Sequence, residues 1–362
     1  MIYKEFGKTG KQVSALGFGG MRFPSKDGKY DYEYCTEMIH EASRLGINYF
    51  DTAPFYNSDQ SEIIFGKAFE KMPNEFFVST KCSSLSGSEL RASLDKSLER
   101  LKVPKINFFH IWCVMNLDDY EKRMAPGGPY KELLKAREEG LIEHICVSTH
   151  CTGAEIAEIA SRRQFDGITL GYNIINYKYR QEGIKAAFAN DTAVVTMNPL
   201  GGGLVTGNPE YFSYIKDTDD RDTLDAAIRF NASHREITVV LTGMDSIEHI
   251  QRNVSSVEMP LSSNYVVKAI ERTGSHTTET MNTLCTGCRY CEHCPVEIPV
   301  SKFMQAYNYN ILSDAKSVKA NLRNHWGVSQ EIAATCIECG LCEEKCTQHL
   351  PIINRLKEIV GF

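Results

Sequence analysis

The chain has 362 residues, 42% hydrophobic and 24% charged, the balance of an ordinary globular protein long enough for one large domain and a small one. A formal net charge of −6 gives no reason to expect nucleic-acid or anionic-membrane binding, and no run of about 18 apolar residues offers a membrane span. The first twenty residues lack the apolar core and cleavage site of a signal peptide, so a cytoplasmic location is expected.

In chain order, the first fifteen residues, with a turn at Lys8-Thr9-Gly10-Lys11, predict a hairpin. Eight short apolar runs then follow: Ser14–Gly20, Tyr49–Ala53, Phe76–Lys81, Ile106–Trp112, His144–Thr149, Gly167–Asn173, Ala193–Leu200 and Ile237–Met244. Their spacing of roughly 25–45 residues suits a strand plus a crossover helix. Between them lie helical patterns, such as Ser88–Leu101 with Leu90, Leu94, Leu98 and Leu101 on one face. Eight such units in about 230 residues predict a (β/α)8 TIM barrel. An open doubly wound sheet would carry a phosphate-binding glycine fingerprint after its first strand, and Gly17-Phe18-Gly19-Gly20 lacks that spacing.

At Met259-Pro260-Leu261-Ser262 the pattern changes. The expected domains are therefore 1–258, the barrel, and 259–362, a mostly helical module carrying cysteine runs. Five of the thirteen cysteines are scattered through the barrel, and eight fall in the module. One run is Cys285, Cys288, Cys291 and Cys294; the other is Cys336, Cys339, Cys342 and Cys346. In a reducing compartment clustered thiols point to metal rather than disulfides. Structural zinc prefers two C-x-x-C pairs separated by a longer loop, a template that these evenly spaced runs overfill. Three thiolates at C-x-x-C-x-x-C can wrap one face of a [4Fe–4S] cube.

The runs resemble those of two-cluster ferredoxins, in which the fourth cysteine of each run serves the other cluster. That resemblance implies one cluster on Cys285, Cys288, Cys291 and Cys346, and a second on Cys336, Cys339, Cys342 and Cys294. Two departures are visible: the first run ends with two residues rather than three before its last cysteine, and Thr347 stands where a proline follows in ferredoxins.

The barrel carries Leu16-Gly17-Phe18-Gly19-Gly20-Met21, Tyr49-Phe50-Asp51-Thr52-Ala53 followed by Tyr56, and Ser61-Glu62 with Gly66. It also carries Ser79-Thr80-Lys81, Asn198-Pro199-Leu200-Gly201, and Thr242-Gly243-Met244 ahead of Glu248-His249-Ile250 and Asn253. Together these resemble the aldo/keto reductases, including a branch with a C-terminal iron–sulfur domain. The resemblance implies a catalytic end where the barrel strands finish. There Tyr56 would protonate the substrate oxygen, with its pKa lowered by Lys81, which Asp51 anchors.

The family places a histidine at the end of the fourth strand, where this chain has Trp112. An indole donates one N–H and cannot titrate. His110 lies two residues earlier on the same face. Either the pocket is remade for a different substrate or reaction, or a local shift brings His110 into the role. For the nicotinamide cofactor, NAD(H) or NADP(H), the resemblance implicates Ser148, Thr149, Met197 and Leu200, then Gly243, His249, Arg252 and Asn253. Cationic partners for a 2′-phosphate are scarce, with Arg252 the one substitute, so the balance tips towards NAD(H).

Two functions follow. One is an NAD(P)H-dependent reductase of a small or mid-sized organic substrate, with the clusters structural or electron-feeding. The other is an electron-transfer or partner-docking protein whose barrel is a scaffold. A hydride carries two electrons and a cluster passes one, so coupling them calls for a converter such as flavin, or a redox partner protein. Oligomeric state is not legible in the sequence.

Overall fold

The computed structural model describes residues 1–260, 264–274, 284–312 and 315–362; Leu261 and Ser262 of the boundary segment lie outside them. Each of the eight apolar runs overlaps a strand of one closed barrel, and three of those strands extend past the run at one end. In chain order these are Leu16–Gly19, Tyr49–Asp51, Phe77–Cys82, Ile106–Val114, Ile142–Thr149, Gly167–Gly171, Ala193–Met197 and Val239–Gly243. All neighbours are parallel, and the last strand closes on the first through Val240–Leu16 and Gly243–Gly19. Parallel strands covered by helices are buried on both faces, which is why they read as continuous apolar runs. All six residues of Phe77–Cys82 are buried.

The helices begin and end on local signals. Gly87–Leu101 starts where the Ser86 side chain accepts the Glu89 N–H, stops at left-handed Lys102, and buries Leu90, Leu94 and Leu101. Gly153–Ser161 starts on a reciprocal capping box between Thr152 and Glu155.

The amino-terminal hairpin, Tyr3–Glu5 paired with Gln12–Ser14, closes the floor of the barrel. Its Phe6 is fully buried, with ring centroids 4.0 Å from Phe108 and 6.0 Å from Tyr49. Gly167 is required here, because a Cβ would lie 2.6 Å from the Phe6 ring.

After the barrel, helix Tyr265–Gly274 folds back on it: Tyr265 Oη donates to Asp220 Oδ2 at 2.7 Å, and Arg272 pairs with Asp217 at 3.2 Å. The cysteine-bearing segment has its own core. Helices Val300–Leu312 and Ile352–Gly361 bring together Phe303, Met304, Leu356 and Ile359, with Val318 and Leu322 from Ala315–Asn324. Among the described residues, no helix is long and apolar enough to cross a membrane.

Candidate active site and metal centre

Strands two and three end side by side, with Asp51 opposite Ser79, and this register delivers the charged pair. Lys81 Nζ donates to both carboxylate oxygens of Asp51 at 2.6 Å and to the Thr52 carbonyl at 2.8 Å. Ser79 Oγ adds a bond to Asp51 Oδ2 at 2.8 Å. Both charges are almost wholly out of water. The ammonium also lies 5.5 Å from the Tyr56 ring centroid.

Tyr56 sits in a tight loop in which Phe55, Asn57, Ser58 and Asp59 all have φ between 54° and 71°. The loop is pinned from below. Asn57 Nδ2 and Ser61 Oγ both donate to the Gly20 carbonyl at 2.8 Å, while Thr80 Oγ1 donates to buried Glu62 at 2.7 Å. Gly66 lets its helix touch the next, since a Cβ there would lie 2.0 Å from the Arg100 carbonyl. Burial holds the Tyr56 hydroxyl well above the usual phenol pKa, and negative charge on Asp51, then Tyr290 and Cys113, would push it the same way. In the bare site burial and these neighbours outweigh any lowering by the Lys81 ammonium.

Trp112 lies at the mouth of the barrel, its ring edge-on to Tyr56 at 5.7 Å. A β-bulge puts it there. Ile111 pairs with Val147 and Val114 with Thr149, so Trp112 and Cys113 together oppose Ser148, and Cys113 takes φ 65°. His110 is fully buried in the barrel interior, Nδ1 3.3 Å from Ser79 Oγ and Nε2 3.0 Å from Thr169 Oγ1. Ser79 gives its proton to Asp51, so Nδ1 carries the hydrogen of this imidazole and Nε2 accepts from Thr169. Burial, then the Lys81 charge, hold His110 neutral. Both its nitrogens are occupied below the mouth, and Trp112 faces Tyr56.

The residues assigned to the nucleotide are spread around the remaining strand ends. Ser148 and Thr149 are buried, and the Thr149 hydroxyl donates to the Val114 carbonyl at 3.0 Å and accepts the Cys151 N–H at 3.0 Å. Met197 closes the seventh strand, Leu200 lies in the loop that follows, and Asn253 is buried on helix Ile247–Glu258. Exposed His249 bonds Asp245 at 2.5 Å. Arg252 is committed to Asp222 at 2.7 Å and Asp225 at 3.2 Å. Gly243 is covered by the side chain of Arg22, a cation absent from the sequence reading. Arg22 makes no ion pair among the described residues, and only the missing Cβ at Gly243 could have pointed to it.

The cysteines of the module lie in two neighbourhoods. Cys294, Cys336, Cys339 and Cys342 line one pocket, together with Pro295 and Leu356. Cys285, Cys288, Cys291 and Cys346 lie close enough that the charge of each would oppose ionisation of others. Burial, then those neighbours, push the Cys285 thiol up to about 12. Four thiolates packed this way need positive charge among them, which an iron–sulfur core supplies. Two backbone donors already face sulfur: Gly287 N–H to Cys285 Sγ at 3.5 Å and Leu350 N–H to Cys346 Sγ at 3.3 Å. Buried Arg355 stands beside Cys285 and Cys346 with Nη1 unpartnered, and buried His150 has an unpartnered Nε2. The cysteine donors, the two backbone N–H groups and the Arg355 N–H that has no partner among the described residues fit a cluster.

Nothing in the sequence places the module: the first cysteine run lies across the end of the barrel where the strands finish. The Tyr290 ring meets His150 at 5.7 Å, and the Trp112 indole N–H is within reach of the Tyr290 hydroxyl. Cys113 lies beside Cys288. The Thr286 carbonyl rests on Gly202, where a Cβ would come within 2.0 Å of it. Fully buried Arg180 ties the seam. Its guanidinium donates to the carbonyls of Gly171 (2.9 Å), Cys151 (3.1 Å), His150 (3.1 Å) and, from the module, Thr347 (3.2 Å).

Comparison with known proteins agrees with this architecture. The model of the aldo/keto reductase family matches residues 15–273, and that of the 4Fe-4S dicluster domain matches 284–350. L-galactose dehydrogenase of Arabidopsis thaliana is 27% identical over 290 residues, 70% of this chain and 87% of that protein. NADH-specific methylglyoxal reductase of Escherichia coli is 29% identical over 226 residues, 56% of this chain and 68% of that protein. The structure of an aldo-keto reductase from Bacillus halodurans superposes with a TM-score of 0.66 at 22% identity, covering 78% of this chain and 99% of that one, a likeness of fold.

Proposed function

This chain belongs to the aldo/keto reductase family and carries a 4Fe-4S dicluster domain, and from that premise we propose an NAD(P)H-dependent oxidoreductase of a small or mid-sized organic carbonyl. The observation that carries this reading is the Asp51–Lys81 pair under Tyr56 at the catalytic end. As negative charge develops on a substrate oxygen there, Tyr56 gives up its hydroxyl proton, and the Lys81 ammonium offsets the tyrosinate left behind. Asp51 fixes the direction of the ammonium. Trp112 can orient the substrate by its indole N–H but supplies no proton.

Two [4Fe–4S] clusters would be held by Cys285, Cys288, Cys291 and Cys346, and by Cys336, Cys339, Cys342 and Cys294. A nicotinamide supplies hydride when bound, whereas clusters exchange single electrons, so a flavin or a redox partner protein stays part of the proposal. The names of the relatives support a sugar or a 2-oxoaldehyde as first substrates to try.

A second reading, in which the barrel receives electrons from the module or serves as a scaffold without nucleotide, is favoured by one contact. Thr286 occupies the face of Gly202, in the Asn198–Gly203 loop next to the residues assigned to the nucleotide.

The test is an anaerobic titration with NADH and NADPH, following the visible absorbance of the clusters. Binding with bleaching supports one electron path, and binding without it supports structural clusters. Failure of both nucleotides to bind overturns the reductase reading. With an active substrate in hand, Tyr56→Phe lowers turnover about 100-fold or more while nucleotide affinity holds.

A further inference from the structure

The two cysteine sets stand in opposite surroundings. Around the first, donors converge on sulfur: the Gly287 N–H on Cys285 at 3.5 Å, the Leu350 N–H on Cys346 at 3.3 Å and the Thr347 hydroxyl on Cys288 at 3.3 Å. Arg355 adds a full positive charge beside Cys285 and Cys346. It is 5% exposed, its guanidinium lies 4.5 Å from the Tyr307 ring centroid, and its Nη1 is sealed from water without a partner. Among the described residues no carboxylate forms an ion pair with it; Glu358, nearby, accepts from the Tyr307 hydroxyl. The second set has apolar walls, among them Val296, Ile298, Ile337 and Leu341, and its Cys339 is exposed. Backbone N–H groups reach Cys342, but the formal charge beside it is the carboxylate of Glu343. Glu338, between Cys336 and Cys339, is matched by Lys357 at 2.8 Å.

We propose that Arg355, together with these three donors, gives the first set the higher reduction potential of the two, so that the first electron added to the holoprotein resides against the barrel and not at the exposed end. The inference rests on the ligand sets proposed above. Reduction adds one negative charge to a [4Fe–4S] site, and the potential follows the local charge and the hydrogen bonds to sulfur. A cation without a counter-ion, held out of water, acts on that charge with little screening. Water at Cys339 favours the second set, but it reaches one edge only, and Glu343 works against it. The first set is also the one that meets the barrel, with Cys288 beside Cys113. Arg355 acts through the thiolates, as a positioning residue and not as a ligand.

The test is an anaerobic redox titration of the holoprotein with dithionite, which gives one electron to each site and ends as sulfite. Electron paramagnetic resonance follows the two reduced signals, and iron is counted for every variant. The wild type shows two separate midpoints. Arg355→Leu disfavours reduction at the higher one about tenfold, a fall of about 59 mV for one electron, and leaves the lower in place. Arg355→Lys, which keeps the charge, moves it far less. Lys319→Met, which removes an exposed charge from helix Ala315–Asn324, moves neither. Coincident midpoints in the wild type overturn the inference, as does Arg355→Leu if it leaves the higher midpoint in place or shifts only the lower. Should Arg355→Leu lose iron, Arg355→Gln decides, since it removes the charge and keeps an N–H; an unchanged higher midpoint there is equally fatal. Fewer than about eight irons in the wild type would instead sink the ligand assignment.

Discussion

Gly202→Ala tests whether the barrel and the cysteine run are joined as the structure has them. The residue has φ 73°, and a Cβ would lie 2.0 Å from the Thr286 carbonyl oxygen and 2.8 Å from its carbon. Neither atom belongs to a flexible side chain, so the run itself has to move. The neighbouring Gly203 has φ 95° but nothing within 4 Å of a Cβ, so Gly203→Ala carries the backbone cost without the collision. A left-handed alanine costs about 1–2 kcal/mol, and overpacking adds about 1–3 kcal/mol. Gly203→Ala is thus expected to lose about 1–2 kcal/mol and Gly202→Ala about 2–5 kcal/mol. The assay is anaerobic urea unfolding of the holoprotein, following far-ultraviolet circular dichroism for the barrel and visible absorbance for the clusters. Gly202→Ala should release the clusters at lower urea than Gly203→Ala does. Equal behaviour of the two variants would refute the docking of Thr286 on the barrel.

Three further outcomes are expected. Lys81→Met strands a buried carboxylate and costs about 3–5 kcal/mol in chemical unfolding, most of it recovered when Asp51→Asn is added; no recovery would mean that the pair is not the cause. Cys346→Ser and Cys294→Ser should each remove about four of eight irons, but from different clusters, giving distinguishable paramagnetic spectra; loss of the same signal in both would disprove the crossed ligation. Although burial opposes it, hydrogen bonds from Lys105 and Asn107 and the charge of Lys11 lower the Glu143 carboxyl to about 2. A carboxyl depressed in the folded state contributes stability above its unfolded value of 4.5, and that contribution fades as pH falls from there towards 2. Glu143→Gln should therefore be less stable than wild type at pH 6 and match it near pH 2, as read by urea midpoints of the barrel.

The barrel was legible because strands buried on both faces and helices of period 3.6 leave patterns within a few residues of sequence. The dicluster domain was legible for the same reason, as the spacing within each cysteine run is local. Other features depend on partners far along the chain. The bulge at Trp112 and Cys113 exists only as a two-against-one pairing with Ser148, and nothing in Phe109-His110-Ile111-Trp112 announces it. Tyr290 reads as one tyrosine inside a metal motif until the run is laid on the barrel. Arg180 gives no charge signal, since its partners are backbone carbonyls. The raised pKa of Tyr56 in the bare site follows first from burial, which depends on what packs over the residue rather than on residue types.

The guanidinium of Arg180 bears on how the molecule is made. It is sealed in the seam with backbone carbonyls as its hydrogen-bond partners and the Tyr179 ring 5.1 Å away, and burial draws its pKa down to about 10. A ribosome delivers the barrel first, with this cation still facing water, and the cysteine runs last. Closing the seam strips that water away, a step that an anionic thiolate-ligated cluster beside Arg355 would help to offset and an empty run would not. Iron supply would then decide whether the first cysteine run closes over the end of the barrel, and in iron-starved cells a folded barrel with an open mouth is expected.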